Sequence, residues 1–101
     1  MPIIVCLCGS TKFKDLFEFY NFIFTKAGKI VLTVGGFHHS VAGNILTSEE
    51  KYQVDVLHFA KIDLADEVFI INKGKYIGES TIREIYYAKM RDKKIIFMEG
   101  D

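Results

Sequence analysis

Three carboxylates stand out by their surroundings. Glu84 lies in Tyr76-Ile77-Gly78-Glu79-Ser80-Thr81-Ile82-Arg83-Glu84, which reads as a loop turning into a helix just after the apolar run 68–71. Gly78 permits an unusual backbone turn, and Ser80 and Thr81 are both good N-caps. Asp63 and Asp66 fall at the end of the preceding helical pattern, where negative charge opposes the helix macrodipole. That cost argues for another role. Paired carboxylates with separated pKa values suit attack at a sugar carbon, with Glu84 as nucleophile and Asp63 or Asp66 handling protons. A structural reading stays open for each. Thr81-x-x-Glu84 matches a capping box, and the two aspartates could be solvated acids at a strand entrance.

Gly9-Ser10-Thr11 is the second chemical feature. Glycine lets a backbone approach closely, free N–H groups at a helix start point outward, and two hydroxyls add donors, as a phosphate requires. Plain capping explains Ser10 and Thr11 equally well. Neither a Walker loop nor a dinucleotide fingerprint is present. Cys6 and Cys8 point to one face of a strand with no other cysteine to complete a metal site, and read as buried, reduced thiols. His38 and His39 are adjacent and face apart, and His58 lies within a helical stretch, so the sequence predicts no metal site. No acyl-transfer motif occurs.

The elements that would position these groups follow from the hydrophobic pattern. Residues 3–8 form a continuous apolar run of strand length, as in a strand covered on both faces. Phe13, Leu16, Phe17, Tyr20, Ile23, Phe24 and Ala27 recur at helical spacing, with Phe19 and Phe22 off the stripe and Gly28 as a stop. Residues 29–34 read as a second strand, and residues 35–44 as a long loop with functional potential. Thr47-x-x-Glu50 opens a helix as a capping box, with Val56, Leu57, Ala60 and Leu64 expected to face the core and Tyr52 and Phe59 to lie aside. Residues 67–71 and 94–97 complete four strands, separated by a helix from the Ser80 region to about Arg91. The order β-α-β-α-β-α-β with right-handed crossovers predicts an α/β fold, a doubly wound parallel sheet ordered 2-1-3-4. A ligand would then sit between the loops after strands one and three.

Composition bounds the partners. The 101 residues suit one domain spanning 1–101. With 13 basic and 13 acidic residues, extended nucleic-acid binding is disfavoured. The longest apolar run, residues 3–8, is far too short to span a bilayer, and the amino terminus lacks the charged start of a signal peptide. A cytoplasmic location is the expectation. Nine Phe and five Tyr exceed what a small core needs, which suggests self-association.

Cys8-Gly9-Ser10, the stretch Lys61-Ile62-Asp63-Leu64-Ala65-Asp66-Glu67-Val68, and Gly78-x-x-Thr81-x-x-Glu84-Ile85-x-Tyr87-Ala88 resemble the nucleoside 2-deoxyribosyltransferase-like superfamily, in the same order over nearly the whole chain. That group includes nucleoside deoxyribosyltransferases and nucleoside 5′-monophosphate N-glycosidases. The resemblance implies a flavodoxin-like fold, a homodimer or higher assembly, and N-glycosidic chemistry on a nucleoside or its monophosphate without a cofactor. It implies Glu84 as the nucleophile that forms a glycosyl-enzyme, and Asp63 first or Asp66 second as the acid assisting the base. Gly9, Ser10 and Thr11, with Gly78, Ser80 and Thr81, would line the substrate pocket, and Tyr76 could orient Glu84. Some transferases carry a further aspartate where this chain has Gly78, so hydrolysis is favoured over base transfer. The rival readings are a non-catalytic nucleotide-binding module and a structural, oligomerising subunit.

Overall fold

The computed structural model describes residues 1–34 and 46–100. The residues 35–44 singled out as a functional loop, His38 and His39 among them, lie outside the described residues. Four strands, β1 (Ile4–Gly9), β2 (Ile30–Leu32), β3 (Glu67–Ile71) and β4 (Lys94–Phe97), alternate with three helices, α1 (Lys14–Lys26), α2 (Ser48–Leu64) and α3 (Glu79–Met90). All pairings are parallel and the order is β2-β1-β3-β4, as the sequence predicts. This is a flavodoxin-like α/β fold.

Strand alternation splits the core into two halves. Val5, Leu7, Phe69 and Ile71 point to the face covered by α1, where Phe17 is buried and Leu16, Tyr20 and Phe24 pack beside it. Cys6, Cys8, Val68 and Ile70 point to the other face, under Ile62 of α2 and Ala88 of α3. β3 is buried at all five positions, as a central parallel strand must be. Its only acid, Glu67, pairs with Lys29 at the amino edge of the sheet. β2 is shorter than the pattern of residues 29–34 suggests.

Helix boundaries follow local chemistry. Thr47 caps α2 with the expected box: its hydroxyl accepts from Glu50 N–H, and the Glu50 carboxylate accepts from Thr47 N–H. α1 ends at Lys26 and Gly28 takes a left-handed φ of 89°. Phe19 and Phe22 stay exposed on α1.

The inward face of α2 departs from expectation. Val56, Leu57 and Leu64 are 45%, 61% and 67% exposed, and Ala60 is also exposed. His58 and Ile62 are buried instead, and Phe59 stacks on Tyr87 with ring centroids 4.7 Å apart. The helix is apolar on more than one side, so periodicity chose the wrong stripe. The decisive residue is a histidine that finds polar partners inside.

Candidate active site

Parallel strands deliver their carboxyl ends to one edge of the sheet, and the loops after β1 and β3 are neighbours there because β1 pairs with β3. Gly9 ends β1 in close contact with β3. A Cβ at this position would stand 2.8 Å from the Ile71 carbonyl oxygen, so only glycine fits without movement. The chain then turns through Ser10, whose hydroxyl accepts from Lys12 N–H, into a short 3-10 turn at Thr11–Phe13.

Across the opening, α3 starts at Glu79 with Gly78 as its N-cap. Gly78 is extended, with φ −79° and ψ 170°, so it is not the unusual turn expected of it. Ser80 and Thr81 lie within the first helical turn, and neither caps the helix. The Thr81-x-x-Glu84 capping box is therefore absent. Glu84 sits one turn deeper, and the structural explanation of its place in the sequence falls away.

These segments and α2 enclose a cavity of about 340 Å³. Gly9, Ser10 and Thr11 form one wall, Gly78, Glu79, Ser80, Thr81 and Glu84 another, and Lys51, Asp55, Leu57, His58 and Lys61 of α2 the third. Six predicted pocket residues and Glu84 are thus together. Asp55 accepts an ion pair from Lys51 at 3.4 Å, and Lys61 donates to the Thr33 carbonyl at 2.6 Å.

Three other predicted residues are elsewhere. Asp63 accepts a hydrogen bond from the Tyr87 hydroxyl at 2.7 Å and pairs with Arg91. Asp66 accepts from Ile4 N–H at 2.8 Å, at the start of β1. Asp63 is in the last turn of α2 and Asp66 lies between α2 and β3, so both stand at the amino edge of the sheet. Five residues of β3 separate that edge from the cavity, roughly 16 Å at strand spacing. Their bonds tie helix, loop and strand together at the edge opposite the cavity. Tyr76 is not among the cavity-lining residues; its ring meets Phe13 edge-on and carries the Lys12 ammonium 3.4 Å from its centroid.

Beneath the cavity lies a cluster that the sequence pattern did not reveal. His58 Nε2 is 3.7 Å from Glu84 Oε1 and 3.3 Å from Cys8 Sγ. The first contact is electrostatic, being too long for a hydrogen bond. Burial pushes the Glu84 carboxyl up from 4.5 to about 6, against the opposing pull of His58 and a hydrogen bond from Cys8. Burial acts to lower His58, but the Cys6 sulfur and the Glu84 carboxylate outweigh it and leave the imidazole raised. The two thiols titrate as a linked pair: their mutual hydrogen bond lowers Cys6 and raises Cys8, and burial raises Cys8 further. A third potential donor stands beside the two thiols: the sulfurs of Cys6 and Cys8 and a His58 ring nitrogen lie within 4.8 Å of one another. The available signal was a buried-strand Cys-x-Cys together with a histidine on a helix packed over it. Nothing in the sequence states that α2 turns His58 inward.

Fold and cavity define a flavodoxin-like α/β domain with a buried carboxylate–imidazole pair at the switch point of its sheet. The fold is shared with the CMP N-glycosidase BcmB of Clostridium botulinum. That match has a TM-score of 0.58 at 20% identity and covers 93% of this chain and 69% of the other. No protein-family model matches the sequence. No curated protein matches it either.

Proposed function

We propose that this chain is a member of the nucleoside 2-deoxyribosyltransferase-like superfamily that cleaves the N-glycosidic bond of a nucleoside or nucleoside 5′-monophosphate. The observation that carries the reading is Glu84: a buried carboxylate, raised to about 6, lining a cavity opposite Gly9-Ser10-Thr11. The likeness in fold to a CMP N-glycosidase adds support for the substrate class.

In this reading Glu84 attacks C1′ and forms a glycosyl-enzyme, and the base departs from the opposite face of the sugar. Its proton donor must therefore reach the departing base rather than C1′. His58 is held against Glu84 and serves to position it and favour its charge. Asp55, one turn earlier on α2, lines the cavity and is near enough for its charge to raise Glu84. We assign to Asp55 the acid role that the sequence suggested for Asp63 or Asp66. Water then takes the sugar, with hydrolysis favoured over transfer to a second base. The substrate's 5′ end lies toward Ser10, Thr11 and Ser80. No metal or organic cofactor enters this chemistry.

The reading includes a cytoplasmic enzyme that assembles as a homodimer or larger. Exposed Phe19, Phe22, Tyr52 and Tyr86 offer apolar contact surface, and Leu57, 61% exposed, stands at the cavity.

The test is release of free base from a panel of nucleosides and monophosphates. Wild type should release base, and Asp55→Asn should release it about 10²- to 10⁴-fold more slowly. That loss should shrink on a substrate whose leaving group needs no proton. Binding without release by wild type would instead identify a nucleotide-binding module.

A further inference from the structure

Cys6 and Cys8 are fully buried, and the glycosidic reading gives them no task. They sit at alternate positions of β1 and therefore on one face, with Sγ atoms converging beneath α2. His58 reaches them from 50 residues away in the chain, with Nε2 3.3 Å from Cys8 Sγ. All three donor atoms lie within 4.8 Å of one another, and Glu84 Oε1 stands 3.7 Å from the same nitrogen on the cavity side.

Those spacings can be compared with a coordination sphere. Zinc–sulfur bonds of about 2.3 Å and zinc–nitrogen bonds of about 2.0–2.1 Å at tetrahedral angles give S···N edges of about 3.6 Å and S···S edges of about 3.8 Å. An N···O edge comes to about 3.4 Å on the same bond lengths. The observed contacts of His58 with Cys8 and with Glu84 are within a few tenths of an ångström of these edges. The widest separation allowed among the three donors exceeds an edge by about 1 Å, within reach of a side-chain rotation.

We propose that Cys6, Cys8 and His58 form a binding site for a soft divalent cation of the zinc type, with the Glu84 carboxylate closing the fourth position. The site is entered through the cavity, because His58 and Glu84 line it while the sulfurs lie behind. Two thiols, a neutral imidazole and a carboxylate are a donor set that selects zinc-like cations over calcium or magnesium. Binding converts both thiols to thiolates and releases their two protons to solvent, together with the proton of His58 wherever the imidazole is charged, since the cation takes the Nε2 lone pair. On the glycosidic reading, a bound cation occupies the nucleophile and its positioning imidazole, so the site is inhibitory.

Cobalt(II) is the direct probe. The chain contains only two cysteines, so a thiolate-to-cobalt charge-transfer band can come from Cys6 and Cys8 alone. Anaerobic titration of reduced wild-type protein should give that band and the visible bands of a tetrahedral centre, saturating at one cation per chain. Zinc should bleach both. Absence of the charge-transfer band in folded wild type overturns the proposal, as does a band of equal strength in the Cys6→Ala/Cys8→Ala variant. Since those positions are in the core, a second readout uses a less disruptive change. Zinc should raise the melting temperature of wild type and leave that of His58→Asn unmoved; an equal rise in both overturns the assignment of His58. Neither readout involves base release, so failure of the glycosidic reading and failure of this one are distinguishable.

Discussion

Glu84 and His58 come from different helices and meet under the cavity, with Oε1 and Nε2 3.7 Å apart. The carboxylate is buried enough to be raised, and the imidazole moderates the rise. A nucleophile benefits from that balance, because it must be ionised to attack yet weakly solvated to react. Glu84→Gln keeps the shape and removes the charge. It should slow base release by on the order of 10³-fold or more while nucleotide binding persists. Single-turnover base release and equilibrium binding, measured on the same preparation, check this. Undiminished release by the variant rules out the nucleophile.

The pH dependence follows from the direction of the shift. Glu84 acts as a carboxylate, so activity should rise as pH increases through about 6. Removing His58 takes away a charge that lowers Glu84, so His58→Gln should move this limb to higher pH. A purely structural role for His58 would leave the midpoint where it is.

Stability should run the opposite way. The folded value is raised above 4.5, so Glu84's contribution is complete below about 4.5 and is lost as pH rises through about 6. The loss is about 2 kcal/mol at 1.36 kcal/mol per unit. His58 is also raised, and its own loss comes above 6.5, outside this window. Denaturant titrations between pH 4.5 and 6 should show a slope in wild type that flattens in Glu84→Gln.

The aspartates at the far edge of the sheet should behave as structural residues. Asp63→Asn loses a charge partner for Arg91 and weakens the bond from the half-buried Tyr87, with Asp63 and Arg91 themselves exposed. The cost should be below about 1 kcal/mol, with base release unchanged. A large catalytic loss without unfolding would contradict the placement of Asp63 away from the cavity.

Gly9→Ala tests the floor of the site. The added methyl carbon would stand 2.8 Å from the Ile71 carbonyl oxygen and 3.1 Å from Ile71 Cβ. Relief requires β1 and β3 to separate, so the variant should lose about 1–3 kcal/mol. Chemical denaturation reads this directly; an unchanged midpoint would mean that the strands yield freely.

Much of this molecule is legible in the order of its amino acids. Residues 67–71 read as a strand covered on both faces, and four strands alternating with helices under right-handed crossovers favour the observed order 2-1-3-4. That order puts Gly9-Ser10-Thr11 and Glu84 at the same edge of the sheet. Asp63 and Asp66 stand apart from the cavity for a topological reason. A helix that precedes a parallel strand ends at the amino edge, so Asp63 and Asp66 are near Glu84 in sequence and remote from it in space. The imidazole was hidden for an energetic one. Apolar side chains surround α2, and whether Leu57 or His58 turns inward depends on what waits below. Only the packed sheet supplies that answer, since Cys8 and Glu84 offer His58 the polar contacts that make its burial tolerable.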